Sequence, residues 1–343
     1  VFLLAFVSGP SSAFATVDVS PATFPRNIVN AVWTKAGGPY VVHDKVYLRN
    51  GTLTIEPGTV VKFAEDSWLS VHADVGLSIN GTAEDPIYFT SLKDDTAGGD
   101  TNGDASATMP APGDWASASF GGGSVNDSLH VEHLKVRFGG GTTGAPTGIP
   151  AYALSIAYPW YVGVRATSYT LSNVEVAESA GVGLYLPIGE SHSLRLSQSS
   201  FHDNASYALE RVRVPNWMGF NDLAGALDAR DNWWGDESGP KHPLNPSGSG
   251  DAIHPGYGSI TVNPIAFSPW LTEFKGDDPY PVIIIPGILG SAQDENGTWV
   301  LDPITHIYDN LYETLDANGY TPEVDLFAFP YDWRKSNVET ALL

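Results

Sequence analysis

The chain has 343 residues, with 17 Lys and Arg against 39 Asp and Glu, a net charge of −22. At this size two domains can each bury a core, and so acidic a surface repels nucleic acid and anionic lipid headgroups at long range, which argues against both as partners. The absence of cysteine excludes a disulfide scaffold, zinc–thiolate sites and thiol catalysis, and 42% hydrophobic residues argue against disorder.

Residues 1–7, Val-Phe-Leu-Leu-Ala-Phe-Val, followed by Ala13-Phe14-Ala15, have the apolar core and A-x-A cleavage pattern of a secretory signal peptide, without an initiating Met or basic n-region. The alternative is a strand at a domain start. The pattern predicts an exported protein, secreted or cell-surface, whose fold begins near Thr16. No other stretch offers the ~20 apolar residues of a membrane span. Five Asn-x-Ser/Thr sequons begin at Asn50, Asn80, Asn126, Asn204 and Asn296; chance turn composition explains them at least as well as glycosylation.

From Tyr40 to Ser91 short strands alternate, with Leu53 and Ile55, Val61 and Phe63, Leu69 and Val71, and Leu77 and Ile79 on one face and Thr, Ser or Lys between them. The segment repeats itself. Leu53/Ile55 recur 24 residues on as Leu77/Ile79, and Val61/Phe63 recur 26 residues on as Ile87/Phe89. Leu171, Val176 and Leu184 recur 25 residues on as Leu196, Phe201 and Leu209. Three strands per repeat of this length are one coil of a solenoid, in which stacking turns the inward residues into a continuous column. Residues ~35–240 are therefore expected to form an all-β right-handed parallel β-helix, within a domain of residues 16–240. A β-sandwich would need no such recurrence.

Two stretches interrupt the coils, a Gly/Asp/Ala-rich one at 94–114 and a Gly/Thr/Pro-rich one at 139–150, both expected as loops. Residues 241–280 hold six of the prolines and Ser247-Gly-Ser-Gly250, and read as an inter-domain connector. Beyond it, Val282-Ile-Ile-Ile285 is a β-branched run suited to a strand buried on both faces, and it stops at Pro286-Gly287. Asp302-Pro303 reads as a helix start, Ile304, Ile307, Tyr308, Leu311, Tyr312 and Leu315 follow at helical spacing, and Gly319 ends it. Residues 324–329 are a second strand candidate. Strand, helix and strand in this order open an α/β sheet.

The motifs Pro286-Gly287-Ile288-Leu289-Gly290-Ser291, Tyr308-Asp-Asn-Leu311, Gly319-Tyr320 and Phe329-Pro-Tyr-Asp-Trp-Arg334 resemble the α/β-hydrolase family of lecithin:cholesterol acyltransferase-like lipases and esterases. The resemblance covers residues 279–343. Residues 35–240 are similar to β-helix repeats of bacterial surface proteins, including Asp231-Asn-Trp-Trp-Gly-Asp-Glu-Ser-Gly-Pro240. The hydrolase resemblance implies a lipid or ester substrate, oxyanion donors in the backbone N–H groups of Ile288 and Leu289, and a site wall braced by Asp332, Trp333 and Arg334. The alternative for the last three is a charged pair over an aromatic ring. No cofactor is implied. Gly-x-Ser-x-Gly occurs nowhere, and the family's elbow follows Pro-Tyr-Asp-Trp-Arg by some tens of residues. Because Ser336-Asn-Val-Glu339 is a capping box with the first helical turn behind it, the chain reads as a truncated part of a longer precursor, without nucleophile, acid or base.

Other candidates lie in the solenoid. Asp100-x-Asn102-x-Asp104, with Asp94 and Asp95 upstream, matches the first positions of a calcium loop. Ala105 stands at its glycine and Ala111 at its bidentate glutamate, so a solvated acidic loop is an equal alternative; calcium would order the loop. Trp233-Trp234 suit an aromatic plug on the column's end better than sugar stacking. Lys135, Arg137, Arg165, Arg195, Arg211 and Arg213 fit surface ion pairs better than a lyase groove. His43, His72, His130, His133, His192 and His202 read as scaffold residues. The functional expectation is an exported esterase or acyltransferase-like hydrolase whose β-helix targets or holds it, touching a surface glycan or the cell envelope. The alternatives are an adhesion-type β-helix protein with a degenerate hydrolase segment and, lower, a polysaccharide lyase.

Overall fold

The computed structural model describes residues 16–22, 31–72, 75–105, 107–121, 128–142, 150–156, 168–186, 193–211, 227–254, 265–273, 282–286, 290–294, 297–301, 308–317, 326–332 and 334. The chain divides into two compact units, Val1–Phe274 and Lys275–Leu343. The signal-like stretch 1–15 lies outside the described residues.

The first unit is a parallel β-helix of three sheets. The first sheet stacks Val17–Val19, Tyr40–Val42, Val60–Phe63, Ile87–Ser91, Leu134–Arg137, Glu175–Ala177 and Ser200–His202. The second stacks Lys45–Leu48, Trp68–Val71, Ser117–Phe120, Tyr152–Ile156, Val182–Leu186 and Leu209–Arg211. The third runs from Ala31–Trp33 through Gly51–Ile55, Val75–Asn80, Leu129–Glu132, Ser168–Ser172, Ser193–Ser197 and Leu227–Asp228 to Ile265–Ala266. The chain visits third, first and second sheet in turn, so each strand bonds its counterparts in neighbouring coils.

The register explains the repeat. Leu53 pairs with Leu77 and Ile55 with Ile79; Leu171 pairs with Leu196, Val176 with Phe201 and Leu184 with Leu209. One expected match is displaced: Val61 pairs with Phe89 and Phe63 with Ser91, not with Ile87 and Phe89. The slip is two residues, one full pleat, so every side chain keeps its face. Ring contact survives it, with Phe63 and Phe89 centroids 5.6 Å apart. The inward Leu, Ile, Val and Phe form one buried column, each contributing about 1.5–3 kcal/mol by leaving water.

Corners are made by left-handed residues at equivalent places. His133, Asn173, Gln198 and Asp231, all at φ between 48° and 59°, turn the chain from third to first sheet. Asp66, Phe138, Glu178 and Asp203 do the same from first to second. Only asparagine and aspartate adopt this conformation at little cost. Stacking supports the others: the backbone N–H of His133 donates to Ser172 O at 3.2 Å, that of Glu178 to His202 O at 3.2 Å and that of Gln198 to Asp231 O at 2.7 Å. Both insertions leave at the first-to-second corner. The one at 94–114 is tied back by Trp115, fully buried, stacked on Phe63 at 4.1 Å and donating Nε1–H to Arg137 O.

Two expectations are corrected at the far end. Trp234 is buried and stacks on Phe201 at 5.1 Å, but Trp233 points outward, because successive residues of an extended segment face opposite sides. Trp234 is not the last layer either: Ile253, Ile265 and Phe267 continue the column. The stretch expected as a connector therefore joins the solenoid, with Ile253 bridged to Leu209 and Ile265–Ala266 paired with Leu227–Asp228.

In the second unit Val282–Ile284 pairs in parallel with Leu326–Ala328, and Phe329 N donates to Ile284 O. A helix runs over Asp309–Ala317; its expected start at Asp302-Pro303 and its glycine end lie outside the described residues. An unforeseen antiparallel hairpin, Ser291–Gln293 with Trp299–Leu301, precedes it. The isoleucine run is not buried on both faces. Ile284 is covered, but Ile283 and Ile285 are 57% and 65% exposed, because among the described residues one strand alone flanks the run.

Asn232 is a buried hub of the last coils. Its Nδ2 donates to Leu196 O, Ala229 O and Arg230 O, and its Oδ1 accepts from Ser199 N at 2.9 Å. Asn232→Ala should lower unfolding free energy by roughly 2–4 kcal/mol, since several buried groups lose partners. Exposed Asn102→Ala should stay within about 0.5 kcal/mol; urea unfolding of both variants checks this. Cutting at the boundary between Phe274 and Lys275 should leave a soluble, cooperatively melting β protein and an aggregation-prone remainder that exposes Ile283 and Ile285. Circular dichroism and sedimentation of the two pieces decide it, and a soluble, folded 275–343 would contradict it.

Candidate functional site

The hydrolase-like unit brings the two ends of its motifs together. Ser291, buried, donates Oγ–H to Tyr331 O at 2.6 Å, and Tyr331 N lies 3.3 Å from the same Oγ. This hydroxyl ties the exit of the Pro-Gly loop to the segment after Leu326–Ala328. Sequence reasoning assigned the loop's role to its backbone alone and missed Ser291, although the residue closes the quoted motif. Ile288, Leu289 and Trp333 lie outside the described residues. Asp332 and Arg334 meet as a forked pair, Nε to Oδ1 at 2.6 Å and Nη2 to Oδ2 at 2.9 Å. That pair raises the Arg334 pKa, first through the hydrogen bond and then by charge attraction. The guanidinium lies 5.5 Å from the Trp299 ring centroid, a cation–π distance. A charge pair over an aromatic ring is thus present, the ring being Trp299.

In the first unit the insertion at 94–114 holds its carboxylates in two groups. Asp94 is buried and consumed by structure: its Oδ2 accepts from Thr90 Oγ1 at 2.6 Å and its Oδ1 from Thr96 N at 3.0 Å. Asp95, Asp100 and Asp104 each offer a carboxylate oxygen, all within 4.8 Å of one another. Asp100 accepts from the N–H of Gly103, Asp104 and Ala105. Asp104 accepts from Ala107, Thr108 and Asn102, and the Thr108 hydroxyl is the first cause holding its carboxyl below the usual range. Ala105 sits at φ 53°, the left-handed conformation that a calcium loop's glycine would supply. Asn102 donates its Nδ2 to Asp104 Oδ2 at 2.9 Å, and its Oδ1 accepts from Asp104 N at 3.4 Å. The three aspartates suit a hard cation; Asn102, as oriented, does not.

Beneath this loop lies Lys62, which sequence reading had placed among the outward polar residues. It does face outward from the first sheet, but the insertion covers it completely. Its Nζ donates to Asp94 O at 2.8 Å and Gly99 O at 2.6 Å. Burial pushes its pKa down, opposed by Asp94, Asp95 and Asp100. An ammonium with two carbonyl partners fixes the loop's base and offsets part of its negative charge.

Lys135, Arg137 and Arg195 stand in ion pairs. Lys135 and Arg137 both bracket buried Glu175, with Lys135 Nζ at 3.9 Å from Oε2. Arg195 and Arg230 meet Asp228, whose carboxyl is lowered to about 2, chiefly by its hydrogen bonds from Arg230. Arg165, Arg213 and His192 lie outside the described residues. Asn204 is buried and donates to Val176 O and His202 O while accepting from Ser179 N, a structural use incompatible with a glycan on that nitrogen.

Next to Asn204 a cavity of about 380 Å³ is lined by His202, Asp203, Trp233, Gly235, Ser249, Gly250 and Asp251. Asp251 Oδ2 accepts from Asn204 N at 2.8 Å and Nδ2 at 2.9 Å, and burial raises its carboxyl pKa. His202 Nδ1 stands 2.7 Å from Asp203 Oδ2.

Architecture and site geometry define the class: a stacked parallel β-helix joined to the opening elements of an α/β sheet. Family models match a stretch within each part. Residues 27–152 match the pectate-lyase-like β-helix domain, and residues 296–342 match the lecithin:cholesterol acyltransferase family. Comparison with curated proteins and with solved structures gives no significant match. Among the described residues no helix is long and apolar enough to cross a membrane.

Proposed function

We propose that the chain serves an exported acyl-ester hydrolase or acyltransferase of the lecithin:cholesterol acyltransferase type, its β-helix meeting a surface glycan or the cell envelope and so bringing the hydrolase to its substrate. The observation that carries the acyl chemistry is the parallel pairing of Val282–Ile284 with Leu326–Ala328, closed by the Ser291–Tyr331 link and continued by the Asp332–Arg334 pair. Such an opening places loop N–H groups where an oxyanion forms, and a lost donor of this kind typically costs ~10²–10³ in rate. Export is supported by the apolar run and Ala13-Phe14-Ala15. A lyase reading finds less support, since Lys135 and Arg137 are both held by Glu175.

Gly-x-Ser-x-Gly stands nowhere in these 343 residues, and this reading assigns them no nucleophile. Residues 16–343 should therefore not turn over p-nitrophenyl esters. Any longer natural form with acyl-ester activity should add Gly-x-Ser-x-Gly and then Asp and His. Turnover by residues 16–343 that disappears on one internal Ser→Ala change would contradict the placement. A longer form without the elbow would favour the adhesion-type alternative.

Calcium is proposed as an ordering ion for the loop at 95–104, supported by the convergence of Asp95, Asp100 and Asp104 and by the left-handed Ala105. Calcium should raise the melting temperature of the parent and leave Asp100→Ala/Asp104→Ala unchanged. A rise that persists in the double variant places the ion elsewhere, and no rise in the parent removes the site.

A further inference from the structure

We infer that the cavity lined by His202, Asp203, Trp233, Ser249 and Asp251 is a binding subsite for a neutral pyranose. The inference rests on the reading that the β-helix makes the glycan contact, and it specifies where and to which sugar class.

Position comes first. Tyr88 pairs with Lys135, Lys135 with Glu175, Glu175 with Ser200, and Ser200 is bridged to Trp233. In-register partners share a face, so these residues form one row parallel to the solenoid axis, stepping about 4.8 Å per coil. Lys135 and Glu175 are buried and ion-paired, so the accessible end of the row lies at Ser200 and Trp233. Trp233 and the cavity end it.

The lining then selects the ligand. A space of about 380 Å³ lies within the range of small-ligand pockets. Half-buried Trp233 offers an aromatic surface against which the C–H face of a pyranose packs. Asp203 and Asp251 provide carboxylate acceptors for hydroxyls, charge-assisted and therefore strong. Asn204 holds Asp251 by two hydrogen bonds, so that acceptor is positioned before a ligand arrives. The wall cannot be filled by side chains. Gly235 has φ 88°, and a Cβ on Gly250 would stand 2.2 Å from Trp234 O. The same carboxylates repel a uronate, and the cations of the neighbouring row, Lys135 and Arg137, are already bracketed around Glu175. The subsite thus favours neutral over acidic sugars, opposite to the preference that a pectate-lyase-like fold would suggest.

The test titrates the full chain with cellohexaose, maltohexaose, mannohexaose and hexagalacturonate, following binding by calorimetry. At least one neutral hexaose should bind at millimolar concentration and hexagalacturonate more weakly. Trp233→Ala should weaken binding about tenfold. Asp203→Asn, which keeps the left-handed corner conformation and removes the carboxylate, should weaken it severalfold, and Tyr47→Ala on the second sheet should change nothing. Binding that survives both site variants overturns this subsite while leaving a glycan contact elsewhere on the β-helix. Failure of every neutral hexaose to bind overturns the subsite and the glycan reading together, and equal or tighter hexagalacturonate binding overturns the charge selection.

Discussion

Everything in the first unit depends on one constraint: each strand must pair in parallel and in register with its counterpart one coil away. No coil can bury its own apolar residues, so the column exists only through stacking. Register in turn depends on the corners, where residues such as Gln198 and Glu178 hold left-handed conformations that an isolated chain would avoid. The interstrand ladder and the buried asparagines supply the compensation. Asn204 and Asn232 each tie neighbouring coils by side-chain bonds to backbone carbonyls. Both amides are partnered at nitrogen and oxygen, so these two polar side chains stabilise the register from within the core.

The repeat was legible because identical residue types recur at inward positions: Leu171 with Leu196, Leu184 with Leu209. Periodicity reports which face a residue takes, and it was right even where pairing slipped by one pleat at Val61. It does not report what later covers a face. Lys62 looked solvated because its neighbours in sequence are a strand; its cover comes from an insertion some 32 residues on. The stretch after Pro240 misled for the converse reason. Proline and Ser/Gly density describe the local backbone, whereas Ile253, Ile265 and Phe267 are isolated apolar residues whose burial depends on a column built elsewhere.

The candidate hydrolase site was legible as motif and only in part as geometry. Pro330-Tyr-Asp-Trp-Arg334 announced a charged, aromatic segment, but not that Trp299 would be the ring under Arg334. That ring arrives through a hairpin of three-residue strands, too short for alternation to register. Asn296-Gly297 was the available turn signal. Ser291 shows the same limit. Its bond to Tyr331 spans 40 positions, and nothing in either neighbourhood announces the partner.

Both insertions depart from the corner between the first and second sheets, and the column beneath them keeps its register on either side. Length and decoration are therefore separable traits in this molecule. A coil added or deleted would move the first and last layers apart or together by about 4.8 Å, leaving the chemistry of every remaining corner as it was. An excursion at that corner can lengthen, acquire charge or vanish while the strands on either side continue to find the same partners. Sequence drift can act on reach and on surface independently, each in steps small enough to be tolerated singly.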